Sequence, residues 1–467
     1  MARYLIHNIM ESFENTIKIN DKDKRIGNNF LGILNDLKRR PEDASRELGV
    51  SVEIIDGIIS GEIKLSTEIV KQAIKIWPVN ERDFYIITDD CATGVKIMRS
   101  EKSEKSSRIM KRAGKPYYEY RDTVASTLAP FRPEWIMELC YVKDNDPNNS
   151  EIQWNNGHFM HQFTYFIGEV NFYYMSTTGE KKVGLMNTGD SVYITPFVPH
   201  TFATRKGASK NGLILALTYG NKLTGEVQQE LSSVSPILSK EYVLDFSNKN
   251  KAFGSLLSFH RHNANITISD LATRAKIPKE KIENFENGLS SPSFEEINKF
   301  ALALRVNSRE LFPNDLIENN VILQKYTEGE KWFFPESTKS YEFIELSTSS
   351  NLPYSKAFEI NVLDSNGDKF DLKIGLHQYV YNLGDKDIQL NWIFDGEKYQ
   401  KILQPNDSAY IKPFVEHNFR GEGKLLVLRV GGKSTGDAQI ELSFVGKPNV
   451  ERAINEMMLW FDPTGKN

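Results

Sequence analysis

The stretch Trp154-Asn155-Asn156-Gly157-His158-Phe159-Met160-His161-Gln162-Phe163 places two histidines and a glutamine within five residues. His158 and Gln162 are four apart. On a strand that even spacing turns both to one face and His161 to the other. A second apolar strand is expected to end at Pro199-His200. Two imidazoles on one side of a site, with open positions opposite, suit Fe(II) and O2 chemistry. The third ligand of such a site is ordinarily a carboxylate; here Gln162 fits. Glu169 is the weaker candidate, because its odd spacing from His158 faces it away. A neutral amide leaves the cation its full charge and strengthens its pull on an anion. Plain packing competes with this, since the chain has eight histidines and a pair can meet by chance.

Arg112-Ala-Gly-Lys-Pro-Tyr-Tyr-Glu-Tyr-Arg-Asp-Thr123 precedes the metal stretch. Arginine offers a planar fork of donors matched to phosphate-like oxygens, and Tyr and Asn add directional hydrogen bonds. Arg112, Tyr120 and Asn155 are therefore candidates to converge on an anion beside the metal. Tyr117, Tyr118 and Tyr120 are equally consistent with packing, and Arg121 with Asp122 can form a simple ion pair.

The elements that must position these groups come in a repeated order. Tyr193-Ile-Thr-Pro-Phe-Val-Pro-His200 and Tyr410-Ile-Lys-Pro-Phe-Val-Glu-His417 agree at six of eight positions. His161-Gln162 before Gly168 is echoed by His377-Gln378 before Gly384, and Gly189-Asp190 by Asn406-Asp407. The stretches before them also correspond: Val50 matches Ile277, Gly61 matches Gly288, and Val79-Asn80 matches Val306-Asn307. Both earlier stretches show apolar residues three and four apart, broken at Leu48-Gly49-Val50 and Ala275-Lys276-Ile277, which predicts helix-turn-helix bundles. Short Tyr-, Phe-, Val- and Ile-rich runs parted by Gly, Asn, Asp and Pro then predict small antiparallel barrels. The expected fold is α+β: a helix-turn-helix-type bundle followed by a cupin (jelly-roll β-barrel), repeated in tandem. The expected domains are 1–98 (helical), 99–248 (catalytic cupin), 249–320 (helical) and 321–467 (second cupin). Residues 99–112 are expected to be a linker or exposed loop. The position matching His158 is Ile374, so the second cupin has lost a ligand and is expected to be degenerate and non-catalytic.

At these residues the chain resembles the phosphonate dioxygenase family, over nearly its whole length. The Arg-x-Gly-x-x-Tyr-Tyr-Glu-Tyr-Arg-Asp-Thr and Asn-x-Gly-His runs carry the likeness. The resemblance implies that His158 and His200 hold Fe(II) and that Arg112, Tyr120 and Asn155 hold the phosphonate. It also implies that Lys38 reaches a phosphonate site in a neighbouring subunit of a homo-oligomer. One branch of the family has a glutamate ligand six residues before its last histidine. Here that position is Ile194, which cannot bind metal. The other branch uses a glutamine, and Gln162 sits where it belongs. The resemblance therefore implies O2-dependent cleavage of the carbon–carbon bond of 2-hydroxyethylphosphonate to methylphosphonate and carbon dioxide. The alternatives are cleavage to hydroxymethylphosphonate and formate, or a cupin-sensor helix-turn-helix transcription regulator.

The bulk figures bound the rest. The 467 residues suggest several domains, and 40% hydrophobic with 26% charged residues is ordinary for a soluble globular protein. A net charge of −4 makes no global case for nucleic acid or an acidic membrane surface. Leu37-Lys38-Arg39-Arg40 is basic, but the expected recognition helix, Val52 to Ser60, has two acids and no Arg, Lys, Asn or Gln to reach base edges. No nucleic acid partner is expected. Two cysteines without a CxxC fit a reducing compartment, and no long apolar run predicts a membrane span. The expected location is cytoplasmic.

Overall fold

Apolar residues at helical spacing give way to alternating strand runs, and then the sequence repeats the change; the structure follows that order. It is a computed structural model that describes residues 21–129, 131–220, 225–314, 320–363 and 369–454. Helices occupy the first stretch, antiparallel strands the second, helices the third and strands the fourth, with two short helices after them. Two compact units result: Met1–Ala92 with Ser126–Ala129 and Gly431–Asn467, and Thr93–Ala125 with Pro130–Val430. Among the described residues no helix is long and apolar enough to cross a membrane.

In the first unit, helices Asp21–Asp36, Pro41–Leu48, Val52–Ser60 and Thr67–Ile76 bury Phe30, Leu34, Leu48, Ile55, Ile58, Val70 and Trp77 against one another. The turn at Gly49 has φ 71°, the left-handed conformation that glycine adopts without penalty. The exposed side chains of Val52–Ser60 include Glu53 and Asp56. The second unit contains the matching helices Lys249–Asn263, Ile268–Ala275, Lys279–Glu286 and Phe294–Leu304, packed around Phe253, Leu257, Ile282, Phe285 and Phe300. A Cβ on Gly27 would lie 2.2 Å from the Ile58 carbonyl oxygen, and one on Gly254 would lie 2.3 Å from that of Phe285. Both helical segments thus require the same close backbone crossing.

The second unit also holds two seven-stranded sheets. One orders 321–324, 191–194, 161–167, 213–219, 132–138, 115–122 and 108–112; the other orders 95–98, 408–411, 377–382, 423–430, 355–362, 341–345 and 331–334. Each encloses an apolar core with a smaller sheet, of three strands in the first case and four in the second. Strands are exchanged: Val95–Met98 pairs with Ser408–Ile411, and Val321–Gln324 pairs with Ser191–Ile194. The strand His161–Ile167 is buried on both faces. Phe166 enters the core, while Tyr165 on the opposite face donates to Glu359 Oε2 at 2.7 Å.

Three local expectations are corrected. Residues 99–112 are no linker: they form the helix Ser100–Lys105 and the edge strand Arg108–Arg112, anchored by Arg99 on buried Asp407 at 2.5 Å. His158 precedes its strand rather than lying on it, because the pairing begins at His161. His200 begins the strand His200–Thr204 instead of ending one.

Candidate metal and anion site

Although His158 lies in a loop, the loop is pinned. The Phe197 N–H donates to the His158 carbonyl at 2.7 Å, and the His158 Nδ1 lies 2.8 Å from the Met160 carbonyl. A carbonyl can only accept, so Nδ1 carries the proton and a neutral ring leaves Nε2 with its lone pair exposed. His200 is built alike: its Nδ1 lies 2.8 Å from the Val198 carbonyl, and its Nε2 is left as an acceptor. Burial pushes the His200 imidazole down to about 4, so it is neutral at physiological pH. The two rings meet edge to face with centroids 5.3 Å apart.

Gln162 completes the cluster from the strand. Its Nε2 donates to Thr164 Oγ1 at 2.8 Å, which turns its Oε1 to within 3.0 Å of His158 Nε2. Two acceptor lone pairs that close repel each other unless a cation lies between them. Metal–donor bonds of about 2.1 Å at a right angle put two donors about 3.0 Å apart. The donor set therefore fits a divalent cation. Among the described residues no three His, Cys, Asp or Glu side chains form a metal site; the two histidines here are completed by an amide. His161 faces the other way, as its spacing predicts, with Nδ1 2.6 Å from the Tyr193 hydroxyl.

Asn155 ties the expected anion site to the histidines. Its Oδ1 accepts from the His200 N–H at 2.8 Å and the Gly157 N–H at 3.0 Å, and its Nδ2 lies 3.2 Å from His200 Nε2. Arg112 lies beside the residue that follows His200. Its Nη1 donates to the Gln153 carbonyl at 2.6 Å and to Thr201 Oγ1 at 3.3 Å, and its guanidinium lies 4.7 Å from the Tyr118 ring centroid. Among the described residues its Nε and Nη2 make no hydrogen bond, so both remain for an anion. Tyr120 lines a cavity of about 440 Å³ with Arg108, Ile109, Met110 and Glu134. Burial pushes its hydroxyl up to about 12, which keeps it a hydrogen-bond donor.

Arg121 pairs with Glu119 at 2.7 Å and Asp122 with Arg108 at 2.8 Å, so the two neighbours do not form the expected pair. Lys38 is exposed in the first unit, in a turn, where its Nζ donates to the Asp36 carbonyl at 2.7 Å. Thr201 escaped the sequence reading. Its Oγ1 lies 3.1 Å from the Tyr117 hydroxyl and 2.9 Å from that of Tyr118, as well as receiving Arg112. One threonine carries no local signal; only its place beside His200 pointed to it.

In the second half the same framework holds a different centre. Phe414 N–H donates to the Ile374 carbonyl at 2.7 Å, as Phe197 does to His158. His417 Nδ1 lies 2.8 Å from the Val415 carbonyl, as His200 Nδ1 does from Val198. Gln378 Oε1, however, accepts from Arg429 Nε at 3.1 Å, and that guanidinium lies 4.9 Å from the Phe358 ring centroid. A covalently held cation thus meets the amide oxygen that Gln162 leaves open.

Known proteins are similar to this chain. The chain is 60% identical over 443 residues to a methylphosphonate synthase of Nitrosopumilus maritimus (strain SCM1), covering 95% of this chain and 97% of that one. The chain belongs to the family of methylphosphonate synthases and 2-hydroxyethylphosphonate dioxygenases. A 2-hydroxyethylphosphonate dioxygenase of Streptomyces viridochromogenes (strain DSM 40736 / JCM 4977 / BCRC 1201 / Tue 494) is 23% identical over 380 residues, covering 75% of this chain and 79% of that one. Among solved structures, a Streptomyces albus member with 2-hydroxyethylphosphonate and Fe(II) bound superposes with a TM-score of 0.87 at 34% identity, covering 94% of this chain and 99% of that one. No family model matches the chain. Family members are Fe(II)-dependent phosphonate dioxygenases, and the mixed fold with several antiparallel sheets is the family's.

Proposed function

We propose that the chain converts 2-hydroxyethylphosphonate and O2 to methylphosphonate, carbon dioxide and water. What supports this reading is that Gln162 Oε1 lies 3.0 Å from His158 Nε2, and that the His158 and His200 rings lie 5.3 Å apart, in a chain 60% identical to a methylphosphonate synthase. Fe(II), when bound, supplies the redox chemistry and open positions for O2. The chain's own residues bind and orient. Arg112 offers Nε and Nη2 to phosphonate oxygens, and Tyr120 donates its retained proton. Asn155 holds His200 in place and gives the anion a third polar neighbour. Burial of Gln162 and His200, 4% and 3% exposed, limits water around the reacting carbon.

The wider arrangement is part of the same proposal. The four segments 1–98, 99–248, 249–320 and 321–467 are two copies of a helical bundle and a cupin, with a strand exchanged between the cupins. The second cupin is non-catalytic, with Arg429 in the metal's role. Lys38 serves a phosphonate site in a neighbouring subunit of a homo-oligomer, and the protein works in the cytoplasm.

Phosphorus NMR of protein loaded anaerobically with Fe(II), given 2-hydroxyethylphosphonate and then O2, tests the reading. Methylphosphonate is expected. Hydroxymethylphosphonate as the product would move the chain to the other branch, and no new phosphonate would overturn the enzyme reading.

A further inference from the structure

Glu138 ends the strand Arg132–Glu138 with its side chain fully buried, and neither carboxyl oxygen has a hydrogen-bond partner among the described residues. Such a group is rare, because a buried carboxyl without a partner is costly. Fraying of the strand does not explain it. The Glu138 N–H donates to the Gly212 carbonyl at 2.8 Å, and its carbonyl accepts from Thr204 Oγ1 at 2.7 Å and Asn211 Nδ2 at 3.1 Å. Strand alternation puts it on the face of Ile136, a residue of the apolar core. It stands directly across the ladder from Tyr118, whose ring carries the Arg112 guanidinium.

The charged and titratable groups within electrostatic reach are Arg112, Tyr117, Tyr118, Tyr120 and Cys140. Arg112 is the one cation among them. Burial pushes the Glu138 carboxyl well above the usual carboxylate range, and Arg112 pulls the other way. The balance therefore depends on what else Arg112 faces. An anion on Arg112 cancels that pull and adds a repulsion, and both effects favour the protonated carboxyl.

We infer that Glu138 makes phosphonate binding proton-linked: in the empty site Arg112 eases the proton off this buried carboxyl, and a phosphonate lying on Arg112 secures it. The inference rests on the phosphonate reading above. Linkage is reciprocal, so a proton on Glu138 tightens phosphonate binding by the factor by which phosphonate tightens the proton. Raising the pH removes that proton and leaves a carboxylate competing for Arg112. Affinity then falls on the alkaline side, by up to about tenfold per pH unit for a single linked proton.

The test is calorimetric titration of the anaerobic Fe(II)-loaded protein with 2-hydroxyethylphosphonate, in buffers of different ionisation enthalpy and over a range of pH. The ligand's own titration is common to every variant, so the difference between chains isolates Glu138. The native chain takes up as much as one proton more than Glu138→Gln, and Glu138→Asp retains the uptake. At the pH of greatest uptake, infrared difference spectra of the native chain show a carboxylic-acid carbonyl band gained on binding. Equal proton uptake in the native chain and Glu138→Gln, or no band gained in the native chain, overturns the inference while leaving the substrate intact. Failure of the iron-loaded native chain to bind the phosphonate at all overturns the substrate reading itself.

Discussion

Gln162 stands directly across the antiparallel ladder from Ile194, so their side chains share one face of the sheet. An oxygen delivered from either position reaches the same space. This gives a geometric account of the two ligand positions that the family resemblance implies, that of Ile194 in one branch and that of Gln162 in the other. The ladder offers two neighbouring places for one donor.

That equivalence is testable by moving the donor. Gln162→Leu should lower Fe(II) affinity by roughly a hundredfold, as loss of a ligand requires. Adding Ile194→Glu to it should restore most of the loss. Anaerobic iron titration measures both, and a double variant as poor as the single one contradicts the shared face.

Arg429 makes the second half a converse experiment. Ile374→His alone should gain no metal, because the guanidinium still occupies the amide oxygen of Gln378. Ile374→His combined with Arg429→Thr should let the chain bind additional iron, read by metal analysis after desalting. Unchanged stoichiometry in the combined variant would show that Arg429 is not what closes that site.

Acid should destabilise the metal-free protein, in part through the second half. Burial pushes His377 and His417 down to about 4, against an ordinary imidazole near 6.5. Between those values the unfolded chain binds protons that the folded chain refuses. Their contribution is therefore complete above about pH 6.5 and is lost as the pH falls toward about 4. Urea midpoints should drop over that window, less steeply in His417→Gln. A midpoint independent of pH there contradicts the account.

Lys38 lies in the helical unit, and its proposed role is to serve a phosphonate site in a neighbouring subunit. Lys38→Ala should raise KM by roughly ten- to a hundredfold with iron content unchanged, because a lost charge-assisted contact costs about 1.5–3 kcal/mol. Unchanged kinetics would remove the helical segment from substrate binding.

Much of this was legible in the residues, and the exceptions have physical reasons. Tyr193 to His200 and Tyr410 to His417 announce the two β halves because their shared turn needs the same unusual backbone; Phe197 and Phe414 both have φ 63°. The helix turns at Gly49 and Lys276 fall where the apolar period breaks. The exchange of Val95–Met98 and Val321–Gln324 was invisible, since four-residue strands carry no signal of their partner. His158 was misplaced onto a strand because spacing describes a face only where pairing exists. Thr201 and Glu138 were missed because the residues around their side chains lie far away in sequence.

The central claim is that His158, Gln162 and His200 meet on one iron beside a phosphonate held by Arg112. The most direct measurement is a crystal structure of the anaerobic protein with Fe(II) and 2-hydroxyethylphosphonate, the metal located by its anomalous scattering. The account predicts one iron bound by His158 Nε2, Gln162 Oε1 and His200 Nε2, with the phosphonate on Arg112. Iron at any other residues, or a phosphonate away from Arg112, would contradict it.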